Sequence, residues 1–157
     1  MWKKIKPYVI SIAIALLVGG LSALITGDNM NVYDTLNTPP LSPPSFIFGI
    51  VWPILYVLMG ISAAMIYTAK GVSKIQKSSA LKIYAVRLIV NFFWSIIFFN
   101  LRAFLFAFIW LILLWALILA MIIKFRAIRP WAGYLQIPYI LWVSFALYLN
   151  LMIYILN

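Results

Sequence analysis

Five long runs of apolar residues, at 7–26, 46–68, 80–100, 103–123 and 131–156, take up most of this chain. At about 1.5 Å of rise per residue, a helix of about 20 residues spans a hydrocarbon core roughly 30 Å thick. In that medium a segment must satisfy its backbone N–H and C=O groups as a helix or within a closed barrel. The runs lack the period-two alternation of barrel strands. The expectation is an all-α integral membrane bundle of five transmembrane helices, built as a single domain over residues 1–157. Composition agrees: 67% of residues are hydrophobic and 9% charged, more apolar surface than one soluble core of this size buries. The first run follows Met1-Trp2-Lys3-Lys4-Ile5-Lys6, which looks like the start of a secretory leader. Its apolar stretch is too long for one and no Ala-x-Ala site follows, so it reads as the first span.

Twelve basic residues against two acids give a net charge of +10. The bases sit at the ends of apolar runs rather than in a patch interleaved with polar residues, so no nucleic-acid partner is expected. The charge instead reports orientation. Lys3, Lys4, Lys6, Lys70, Lys74, Lys77, Lys82, Lys124, Arg126 and Arg129 fall on one side. Arg102 falls on the other, and Arg87 reads as lying within the third span near its inner end. A multi-pass protein of the cell membrane follows, with the N-terminus inside and the C-terminus outside.

Cysteine and histidine are absent, and the only acids are Asp28 and Asp34. No metal site and no required cofactor are expected, and the spans hold no carboxylate or imidazole for a proton relay. A ligand would be held by stacking, apolar contact and a few amides or hydroxyls.

The connection 27–45 is the one long loop, on the outer side, with prolines at 39, 40, 43 and 44 and a short helix expected over 31–36. Proline stiffens it into a lid rather than a tether. In the first span Ser11, Ala15, Gly19 and Ala23 recur every four residues. Such a stripe admits a second helix closely, either within the bundle or as the seam of a homodimer. Pro53 and Pro138 lie inside the second and fifth runs, where each is expected to bend its helix. The second span places Phe48, Trp52, Tyr56 and Met59 on one face, and the third does so with Asn91, Trp94, Ser95 and Phe98. Pro138, Trp142, Ala146 and Asn150 align in the fifth. Trp2, Trp131 and Tyr134 fit interfacial belts.

These residues resemble a known family. Tyr33-Asp34-x-Leu36-x-x-Pro39, Pro43-Pro44 and Phe48-Gly49-x-Val51-Trp52-x-x-Leu55-Tyr56 are similar to the loop and second helix of the TspO/MBR family of tryptophan-rich sensory and translocator-type proteins. Asn91-x-x-Trp94-Ser95-x-x-Phe98-Phe99 is similar to its third helix. Pro138-Tyr139-x-x-Trp142-x-x-Phe145-Ala146-x-x-Leu149-Asn150 is similar to its fifth. Leu41 stands where the family often has tryptophan, Thr38 where it usually has lysine, and Phe106 where some relatives have a fourth-helix tryptophan. The resemblance implies a five-helix bundle with a cavity in its outer half, capped by the first loop.

By motif position, the resemblance implies ligand-binding residues Tyr33, Trp52, Tyr56, Asn91, Trp94, Phe106, Trp142 and Ala146. It implies porphyrins and related flat hydrophobic molecules as ligands, in a membrane-embedded binding protein or sensor. Light-dependent porphyrin degradation is an alternative, with Trp52 and Trp142 as the residues taking part. Transport of tetrapyrroles or other small hydrophobic solutes is another.

Overall fold

The computed structural model describes residues 1–157, apart from the side chains of Asp28 and Met30. One of the two loop acids, Asp28, therefore has a side chain outside the described residues. Five segments are long and apolar enough to cross a membrane: Trp2–Thr26, Ser45–Tyr67, Lys74–Asn100, Phe104–Ile128 and Pro130–Leu156. The fold is an all-α membrane bundle.

Helix α1 covers Trp2–Thr26 and ends at Gly27, whose φ of 51° suits the residue without a Cβ. A tight turn over Gly27–Asn31 leads to α2 (Val32–Thr35), the short helix expected in the loop. Helix α3 (Ser45–Tyr67) starts directly after Pro44. Helix α4 (Lys74–Ser95) is capped by Ser73, whose Oγ accepts from the Gln76 N–H at 3.1 Å. It runs on into a wider π-helical turn, Ile96–Asn100. Helix α5 covers Phe104–Ile128, α6 covers Pro130–Tyr134 and α7 covers Ile137–Leu156.

Three boundaries differ from those that hydropathy sets. The third span begins at Lys74 rather than 80, and the fourth runs to Ile128 rather than 123. Both extensions carry lysine or arginine, whose long stems let a charged turn stay helical at the membrane edge. Lys77 shows what such a residue does there. Its Nζ donates to the carbonyls of Tyr67 and Ala69 at 3.0 and 2.9 Å, capping the end of α3. The fifth run is broken at Leu135–Gln136, so Pro138 sits in the first turn of α7 and bends nothing.

Helix α1 packs along α3 and also touches α4, while α5 packs on α4, α6 and α7. The stripe on α1 is spent within the bundle. Ser11 Oγ donates to the Gly60 carbonyl at 2.7 Å, Ala15 is fully buried, and Gly19 lies against the Tyr56 ring. Helices α3 and α7 approach each other far less closely, and that gap becomes the site.

Candidate functional site

A cavity of about 340 Å³ lies between α1, α3, α4 and α7, beneath the loop 27–45. Its size is at the lower end for small-molecule sites. Trp52 and Tyr56 come from α3, Asn91 and Trp94 from α4, Trp142 and Ala146 from α7, and Tyr33 from the loop. All seven line one space, brought together because each stands on the helical row that faces the α3–α7 gap.

Aromatic rings form a continuous wall. Tyr33 meets Phe48 edge-on at 5.0 Å between centroids, and Phe48 meets Trp142 in the same way at 5.8 Å. Trp52 lies 5.9 Å from Tyr56 and 6.4 Å from Tyr139. Opposite, Trp94 stacks on Phe98 at 5.2 Å. The Trp94 indole N–H donates to Asn150 Oδ1 at 3.2 Å, and Asn150 Nδ2 donates to the Phe104 carbonyl at 2.8 Å. Trp94 is thereby fixed in orientation and offers a ligand only its face.

The floor is a short polar chain. Tyr139 Oη donates to Asn91 Oδ1 at 2.7 Å, and Asn91 Nδ2 donates to Tyr56 Oη at 2.8 Å. Asn91 is buried here.

The loop closes one end of the cavity as a tied lid. Tyr33 Oη donates to the Pro43 carbonyl at 2.7 Å, and Tyr148 Oη on α7 donates to that of Pro40 at 2.9 Å. Burial holds the Tyr33 hydroxyl above the ordinary tyrosine range, so it remains a neutral donor. Asn157 grips Asn37 through two hydrogen bonds of 3.1 and 2.9 Å.

Phe106 does not join the others. It is 53% exposed on α5 and packs on Trp110, with 6.1 Å between centroids. The register of α5 turns the neighbouring Ala107 inward instead, so Phe106 stands outside the lining of this cavity. Conversely, Gly19 and Ala23 line the cavity as well as belonging to the packing stripe. Their four-residue spacing was visible, but small residues that seat a helix and small residues that leave room for a ligand look alike in sequence. Phe145 was also missed. It shares with Trp142 the wall between the cavity and a second, membrane-facing groove against α3.

Comparison with known proteins bears on what such a cavity belongs to. A family model described as the TspO/MBR family matches residues 11–156. The chain belongs to that family. The tryptophan-rich protein TspO of Chlorobaculum tepidum is 33% identical over 158 residues, which span 100% of this chain and 99% of the relative. Protein CrtK of Rhodobacter capsulatus is 34% identical over 80% of this chain and 78% of its own. The translocator protein of Bos taurus is 32% identical over 92% of this chain and 88% of its own. Membership covers nearly the whole bundle, so it is a multi-pass membrane protein of the TspO/MBR type.

Proposed function

We propose that this family member binds porphyrins or related flat hydrophobic molecules in the aromatic cavity, as a binding protein or sensor without a resident cofactor. The observation that carries this reading is the convergence of Trp52, Trp94 and Trp142 from three helices on one space that also holds Tyr33, Tyr56 and Asn91. Aromatic side chains around one space suit a planar ring system, and the few polar groups fix its orientation. A cavity of about 340 Å³ takes part of a macrocycle at rest, so binding a whole one involves movement of the lid. Titration of the detergent-solubilised chain with a porphyrin, read by tryptophan fluorescence, tests this. Saturable quenching is expected, and its absence would sink the reading. Light-driven oxidative breakdown of the bound porphyrin is a second reading, favoured because Trp52 and Trp142 line the same cavity. Product analysis after illumination separates the two.

The lid gives a kinetic expectation. Each neutral hydrogen bond contributes about 0.5–1.5 kcal/mol, and Asn157 makes two to Asn37. Asn157→Ala should speed porphyrin dissociation roughly tenfold in stopped-flow displacement. An unchanged off-rate would mean that ligands leave by another route.

We also propose that the lid faces outward, because ten of the twelve basic residues sit at the opposite end of the bundle or in its connections. Reporter domains joined through flexible linkers at both ends should show the N-terminal one active only inside and the C-terminal one active only outside.

A further inference from the structure

Arg87 sits on α4 one turn inward of Asn91 and is fully buried. A guanidinium stays charged in proteins. Here Nη1 donates to Met59 Sδ at 2.9 Å, a weak acceptor, while Nε and Nη2 meet no hydrogen-bond partner among the described residues. The group lies over two rings, with Cζ 4.5 Å from the Tyr84 centroid and 5.1 Å from that of Tyr139. Aspartate, glutamate and histidine are absent from all five spans. The bundle thus holds a buried cation without a carboxylate of its own, and burial keeps salt from screening its field.

The polar floor of the cavity has a direction. Tyr139 donates to Asn91 and Asn91 donates to Tyr56. The Tyr56 oxygen is used as an acceptor, and its own proton meets no acceptor among the described residues. Positive ends of successive dipoles therefore point away from Arg87 and toward the cavity, each bond polarising the next. Several other polar side chains of the lining are engaged within the protein: Trp94 with Asn150, Ser22 with the Phe92 carbonyl, Tyr33 with the Pro43 carbonyl. The floor offers a hydrogen-bond donor backed by a full positive charge, which sets it apart from the indole N–H groups of Trp52 and Trp142 and the Ser95 hydroxyl, neutral groups of the walls.

We propose that the cavity selects planar carboxylic acids and takes them acid-first, the carboxylate accepting from the Tyr56 hydroxyl at the floor, with Arg87 as the specificity-determining counter-charge acting through Tyr139 and Asn91. This rests on the cavity's being the ligand site, and it adds the ligand's acidity and orientation. Arg87 does not touch the ligand; it is a positioning residue.

The test uses two matched pairs at neutral pH on the full chain in detergent: a porphyrin dicarboxylic acid with its dimethyl ester, and pyrenebutyric acid with its methyl ester. Wild type should bind each acid at least tenfold more tightly than its ester. Arg87→Met should bring acid affinity down to that of the ester while leaving ester affinity unchanged. Arg87→Lys should restore most of the preference, and Tyr56→Phe should reduce it. Ester binding reports that each variant is folded, and micelle partitioning cancels because the ratio is compared between variants. Equal binding of acid and ester by wild type, after correction for the partitioning of each compound into empty micelles, overturns the proposal, as does full preference in Arg87→Met. Preference in the pyrene pair with no porphyrin binding would overturn the porphyrin reading alone. Equal porphyrin acid and ester binding would spare that reading and overturn this one. Binding of neither pair overturns both.

Discussion

Ala146→Leu should lower porphyrin affinity roughly tenfold or more. Ala146 lies one turn beyond Trp142 on α7, and both line the cavity. A leucine there fills the space beside the indole without adding a polar group, so the helix remains at home in the membrane. Losing one aromatic stack costs about 1–3 kcal/mol by analogy with base stacking, which is the tenfold or more expected. Trp142→Ala should lose a comparable amount from the other direction, by removing the surface rather than blocking it. Trp52→Ala should abolish any light-driven turnover before it abolishes binding. Trp131 is the control. It is 69% exposed and packs only edge-on against Tyr134, at 5.7 Å between centroids, so Trp131→Ala should change little. Binding isotherms and illuminated decay across the four variants, with helicity checked by circular dichroism, decide this. Equal affinity for wild type, Ala146→Leu and Trp142→Ala would place the ligand elsewhere.

The α1–α3 seam should be the least tolerant packing surface in the bundle. A Cβ added at Gly60 would lie 2.5 Å from Ile12 Cα and 2.8 Å from its backbone nitrogen. A flexible side-chain tip could swing aside; the main chain of a helix cannot. Helix α1 would have to move as a body, loosening the Ser11–Gly60 hydrogen bond and the wall it lends the cavity. Overpacking of this kind costs about 1–3 kcal/mol. Gly60→Ala should therefore lower the thermal midpoint in detergent by several degrees, and Gly60→Leu by considerably more. Gly20→Ala is the matched control, because its added Cβ meets nothing within 4 Å. A melt insensitive to Gly60→Ala but lowered by Gly20→Ala would show that α1 is seated on a different face.

Apolar run length made the bundle legible, because a bilayer leaves a chain few choices. Helical spacing made most of the cavity legible too, since Trp52 and Tyr56, Asn91 and Trp94, and Trp142 and Ala146 each share a face on sequence alone. The burial of Arg87 was not legible, for a definite reason. The hydropathy pattern places it along the chain, whereas its complete burial follows from the face of α4 it occupies, between Met59, Tyr84 and Tyr139. Hydropathy cannot locate the first turn of a helix whose polar residues are solvated at the membrane surface. The break at Leu135–Gln136 was hidden for the converse reason: both flanking segments are apolar, and no glycine or proline occupies the two positions themselves. Phe106 lies outside the lining because motif position fixes a place along the chain but not the azimuth of a helix.

The clasp between Asn37 and Asn157 has an asymmetry with consequences for how this lid can vary. Asn157 Oδ1 accepts from the backbone N–H of Asn37, and Asn157 Nδ2 donates to the Asn37 carbonyl. One side-chain amide thus reads a stretch of main chain much as a neighbouring strand would. Those two bonds do not depend on which side chain position 37 carries, proline excepted, although the Asn37 side chain adds one of its own, from Nδ2 to the Leu156 carbonyl at 3.4 Å. At position 157 the demands are narrow: an aspartate has no donor, a leucine has neither group, and a glutamine is a methylene too long. Drift in the loop can therefore retune what the cavity's mouth presents to a ligand while its fastening stays in register.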